Sequence, residues 1–96
     1  MAIDPELDAL RRAIDDVDRQ LLELIAERVK IVLKVGDFKR RRSLPIYDPE
    51  RERTMIEQLI QRAPQPLNPE IVRRIFERVI DESRRIEQHN SEFPRE

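Results

Sequence analysis

Arg28 is the one polar residue in a heptad seam that runs through the first half of the chain. Positions 7, 10, 14, 17, 21, 24, 28, 31, 35 and 38 alternate spacings of three and four, and all but Arg28 are apolar. Lys39 follows three helical turns later, so both cations project in nearly the same direction about 16 Å apart. A second apolar stripe, Met55, Ile56, Leu59 and Ile60, continues backward into Glu52 and then Asp48. A third, Val72, Phe76, Val79 and Ile80, continues forward into Ser83 and Glu87. Each stripe thus places charged or hydroxyl groups on an inward face, where an unpaired ion costs several kcal/mol. Two readings fit. Either these groups bind a charged ligand, or Arg28, Glu52 and Glu87 form an internal salt-bridge network that holds the helices in register.

Single residues have plainer explanations as well. Asp48 is accounted for as a helix N-cap, and Ser83 as a small helix-packing residue. Lys39, with Arg40, Arg41 and Arg42, complements the negative end of a helix dipole. His89 lies near a helix end and is expected to be solvated. Gly36 inside a helical stretch costs about 1 kcal/mol against alanine, which a close helix crossing or a ligand approach would explain. Several chemistries are excluded outright. There is no cysteine, so no thiolate ligand, disulfide or cysteine nucleophile. One histidine and one glycine leave no multi-histidine metal site and no glycine-rich phosphate loop. No metal is expected.

The elements that position these groups are marked by proline. The seven prolines leave three proline-free blocks, and each block begins with Asp or Asn, Pro and Glu or a near variant. Helices are expected over residues 5–42, 49–62 and 69–90, with a loop at 63–67 and a frayed tail at 91–96, all in a single domain, 1–96. The fold class is therefore all-α. Charged residues make up 41% and hydrophobic ones 39%, a balance for exposed helices rather than disorder. A net charge of -1 gives no overall pull toward nucleic acid or anionic lipid. No apolar run approaches the roughly 20 residues of a membrane span, and the start lacks a signal-peptide pattern, so a cytoplasmic protein is expected.

The first helix also calls for a partner. Nearly 40 residues extend roughly 55–60 Å, whereas a globule of this size has a radius of gyration near 13 Å. A flanking stripe, Leu22, Ile25, Val29 and Val32, widens its apolar face. The two shorter helices cannot cover it, so an intertwined homodimer without a stable monomer is expected.

With these residues assembled, the chain resembles the all-helical (AroQ-class) chorismate mutases over nearly its full length. The resemblance is carried by Leu10-Arg11, Asp18, Ala26-Glu27-Arg28, Val35-Gly36 with Lys39, Asp48 with Arg51-Glu52-Arg53, and Glu82-Ser83 with Glu87. Tyr47-Asp48-Pro49 and the Glu87 ending look most like mutase modules fused to, or found beside, the first enzyme of the shikimate route, and a shikimate-pathway enzyme is a candidate partner. The resemblance implies a three-helix protomer in an entwined dimer, converting chorismate to prephenate by a [3,3] rearrangement in phenylalanine and tyrosine biosynthesis, without a cofactor.

It also implies roles. Arg28 and the other chain's Arg11 would clamp the two substrate carboxylates. Lys39 would hold a carboxylate and donate to the ether oxygen, Glu52 with Asp48 would bind the ring hydroxyl, and Ser83 would contact a carboxylate. Arg51 would orient Glu52, and Val35, Met55 and Ile80 would form the apolar wall. Glu87 departs from the glutamine that many bacterial members carry. A carboxyl donates to the ether oxygen only when protonated, so catalysis is expected to weaken as pH rises through its titration. The related isochorismate-pyruvate lyases are the nearest rival activity, and a non-catalytic regulatory module is the rival outside enzymology.

Overall fold

The computed structural model describes residues 4–92. It contains three helices, α1 (Pro5–Arg41), α2 (Pro49–Arg62) and α3 (Pro69–Glu92), and no strand among the described residues. Each start follows one local rule. Asp4 Oδ1 accepts from the amides of Glu6 and Leu7 at 2.9 and 3.3 Å, Asp48 Oδ1 from Arg51 at 3.0 Å, and Asn68 Oδ1 from Ile71 at 2.9 Å. These caps satisfy amides that have no carbonyl partner in the first turn, and the following proline has no amide to lose.

The end of α1 differs from the expected one by a residue, and its chemistry is unexpected. Ser43 adopts a left-handed φ of 54°. Its amide donates to Arg40 O at 3.2 Å, and the Leu44 amide donates to Lys39 O at 2.8 Å. This is a Schellman motif with serine where glycine is usual. It turns the chain sharply back, and Lys39 Nζ donates to Ile46 O at 3.2 Å across the turn. At the other end of the chain, α3 runs to Glu92, beyond the expected stop near residue 90. The remainder of the expected tail, 93–96, lies outside the described residues.

α3 packs against both α1 and α2. Its contact with α2 buries Ile56 and Val72, which are 5% and 4% exposed, and Arg73 Nη2 donates to Glu57 Oε1 at 2.8 Å beside it. Among the described residues, only Gly36 and Ser83 are buried besides these two. The chain spans 60 × 35 × 16 Å with a radius of gyration of 17.7 Å, well above the value of about 13 Å for a compact domain of this size. The α1 seam accounts for the difference: Leu10, Val17 and Leu24 are each 61% exposed. No helix among the described residues is long and apolar enough to cross a membrane.

Candidate active site

The C-terminal half of α1, the start of α2 and the end of α3 enclose a cleft of about 770 Å³. Arg28, Lys39, Asp48, Glu52, Ser83 and Glu87 all line it, and Val35, Met55 and Ile80 supply apolar wall. Six polar residues from three separate segments thus converge on one space. Arg11 does not join them. It lies on α1 seventeen residues before Arg28, about 25 Å away at 1.5 Å per residue, and it is exposed.

Among the described residues, the two cations are held without an acidic partner. Arg28 is half-buried; its Nη1 donates to Ser83 Oγ at 3.2 Å, and its Nη2 to Met55 Sδ at 3.7 Å. Ser83 is 4% exposed and donates its own hydroxyl hydrogen to Val79 O at 2.7 Å. That bond leaves the Oγ lone pairs facing Arg28, so the serine orients the guanidinium. Among the described residues, Lys39 is anchored only to a backbone carbonyl, that of Ile46. Neither Arg28 nor Lys39 takes part in an ion pair among the described residues.

The carboxylates are arranged differently from the internal network of Arg28, Glu52 and Glu87. Arg84, which the sequence reading passed over, takes Glu52. Its Nη2 donates to both carboxylate oxygens, at 2.6 Å to Oε2 and closer to Oε1. The same guanidinium lies over the Tyr47 ring, 4.6 Å from its centroid. A signal was present: Ile80, Arg84 and Glu87 form an i, i+4, i+7 row, so an inward face holding Ile80 and Glu87 also holds Arg84. The orienting part expected of Arg51 falls to Arg84. Arg51 lines the cleft, but its part in the hydrogen bonding is a backbone amide given to the Asp48 cap.

Gly36 receives a concrete explanation. It is buried beneath Glu87, and a Cβ built on it would lie 2.8 Å from Glu87 Oε2 and 3.1 Å from Cδ. The missing side chain lets the Glu87 carboxyl lie flat on α1, inside the cleft.

Residues 10–88 match the family described as chorismate mutase type II. The chain belongs to that family. A T-protein from Enterobacter agglomerans is 43% identical over 79 residues, 81% of this chain and 21% of its own length. A 4-amino-4-deoxychorismate mutase from Streptomyces pristinaespiralis is 32% identical over 87 residues, covering 90% of this chain and 67% of that one. Among solved structures, the Helicobacter pylori chorismate mutase in complex with prephenate superposes with a TM-score of 0.85 at 34% identity, over 93% of this chain and 97% of that one. The chain spans only 18–21% of the length of several curated relatives that it matches. The type II family match covers every cleft residue named above, and it extends to Arg11, outside the cleft.

Proposed function

We propose that this chain is a chorismate mutase domain, that its cleft binds chorismate, and that it converts chorismate to prephenate by a cofactor-free [3,3] rearrangement. The observation that carries the reading is the pair of unneutralised cations, Arg28 and Lys39, in a cleft whose Glu52 carboxylate is already satisfied. Chorismate is a dianion, and half-buried cations without an acid of their own are suited to it. The reaction breaks the ether C–O bond as a C–C bond forms, within one molecule. The protein therefore supplies a compact substrate conformation and positive charge or hydrogen bonds where the ether oxygen becomes electron-rich.

Arg28 grips one carboxylate through its planar fork. Lys39 exchanges its bond to the Ile46 carbonyl for a substrate carboxylate and the ether oxygen. Ser83 supports the carboxylate end, Glu52 accepts from the ring hydroxyl beside Asp48, and Val35, Met55 and Ile80 pack on the ring. Arg11 completes the site from the partner subunit, because its own cleft is out of reach. Incubating the purified chain with chorismate tests the activity: prephenate must appear as chorismate absorbance is lost. Inert protein, with and without a shikimate-pathway partner enzyme, would point to a regulatory module. Salicylate and pyruvate from isochorismate would point to the lyase.

Two predictions follow from the contact between Glu87 and Gly36. If the Glu87 carboxyl donates to the ether oxygen, only its neutral form acts. Glu87→Gln keeps a donor at that place and should retain turnover, whereas Glu87→Leu should lower kcat by about a hundredfold; a Glu87→Leu variant as fast as Glu87→Gln excludes this role. Gly36→Ala should preserve helicity, since alanine favours a helix by about 1 kcal/mol and the clash is with a flexible side-chain tip. It should displace Glu87 and lower kcat by about ten- to a hundredfold. Circular dichroism and steady-state kinetics on the same sample check both halves.

A further inference from the structure

Arg84 occupies a position that the proposed reaction does not require. It is neither on the apolar wall nor among the cations left for substrate. Its Nη2 spans both oxygens of Glu52, its Nη1 lies 3.7 Å from Asp81 Oδ1, and its plane rests over Tyr47. The Arg84 and Glu52 side chains are 39% and 24% exposed, so the pair is partly withdrawn from water rather than a solvated surface contact. Tyr47 immediately precedes the Asp48 cap of α2, so the stack ties the α1–α2 loop to α3 as well.

We infer that Arg84 is a specificity-determining residue: by cancelling the Glu52 carboxylate, it makes the ring-hydroxyl end of the cleft accept a neutral hydroxyl and reject an ammonium group. This rests on the reading of the cleft as a chorismate site with Glu52 at the ring hydroxyl. An unpaired carboxylate at that point would attract a cationic substituent strongly. A carboxylate already bound by a guanidinium keeps lone pairs to accept from a hydroxyl but offers little net charge, and the guanidinium itself repels a second cation. The distinction has a chemical counterpart among relatives, one of which is a 4-amino-4-deoxychorismate mutase. That substrate carries an amine, protonated at neutral pH, where chorismate has its ring hydroxyl. Arg84 acts through Glu52 and needs no contact with substrate.

The test is the ratio of the Ki of 4-amino-4-deoxychorismate, as a competitor of chorismate turnover, to the KM for chorismate. In the wild-type chain the ratio should lie well above one. Arg84→Met should lower it by about tenfold, and Arg84→Lys should restore most of it, because charge and not shape carries the effect. Glu52→Gln should raise the ratio, since Arg84 then faces the amine without its acid; this variant decides the matter even if Arg84→Met does not fold. An unchanged ratio in Arg84→Met, or a lowered one in Glu52→Gln, overturns the role of Arg84 while leaving the mutase reading intact. A wild-type chain that does not turn over chorismate overturns that reading itself.

Discussion

Arg28→Ala is expected to lower kcat/KM for chorismate by about 10²–10³-fold with the helices still folded. The size follows from what Arg28 does in each state. Its own partners are a neutral hydroxyl and a thioether, neither of which carries charge. With a carboxylate present it forms a charge-assisted fork, and removing it leaves a half-buried anion unpaired. The fold loses little, because Ser83 keeps its bond to Val79 and no acid is left without its cation. A stability loss of about 1 kcal/mol is expected, mainly from lost packing of the side-chain stem. Arg28→Lys should fall between, since it keeps the charge and loses the fork. Measuring thermal stability and turnover together separates this from a purely structural role, in which stability collapses and activity falls only in proportion to the folded fraction. Activity within threefold of wild type would remove Arg28 from the site.

The readable parts of this molecule were those set by local physics. Three cap-and-proline starts located three helices, because orphan amides and proline stereochemistry act within four residues. The break in the heptad seam located Arg28, because an apolar period makes one polar member conspicuous. Glu87 and Gly36 were each conspicuous separately, but only the α1–α3 crossing shows that one makes room for the other. Arg84 was obscured by its surroundings. It lies three residues after Asp81, within ion-pair distance, which in sequence is the pattern of a solvated helix flank. What pulls it inward is Glu52 on α2 and Tyr47 from a loop, both distant in sequence. The turn after α1 was obscured for the opposite reason. Glycine is the usual sign of a Schellman end, and the chain's single glycine lies elsewhere, so Ser43 carries the left-handed conformation unannounced.

The second large effect concerns assembly. Mixing Arg11→Ala chains with Arg28→Ala chains, after unfolding and refolding them together, is expected to restore about a quarter of wild-type activity, although each variant alone is nearly inert. The reasoning starts from exposed apolar surface. Leu10, Val17 and Leu24 lie open along α1, and a domain whose covered apolar side chains are so few does not stabilise itself against chain entropy. A second copy offers the same seam, and a two-fold pairing covers both at once. On the proposed reading, such pairing would carry Arg11 of one chain to the cleft of the other, which its own chain cannot do across about 25 Å. In a mixed dimer, one cleft then receives intact Arg28 from the first variant and intact Arg11 from the second, while the other cleft loses both. Random pairing makes about half the dimers mixed, each with one working site of two, which gives the quarter. Two controls frame the result. Ile14→Arg with Leu21→Arg puts charge into the seam and should abolish cooperative helical unfolding at micromolar concentration. Sedimentation of the wild-type chain should give twice 11.6 kDa. A folded wild-type monomer, or no recovery on mixing, would mean that α1 is covered some other way and that Arg11 works outside the site.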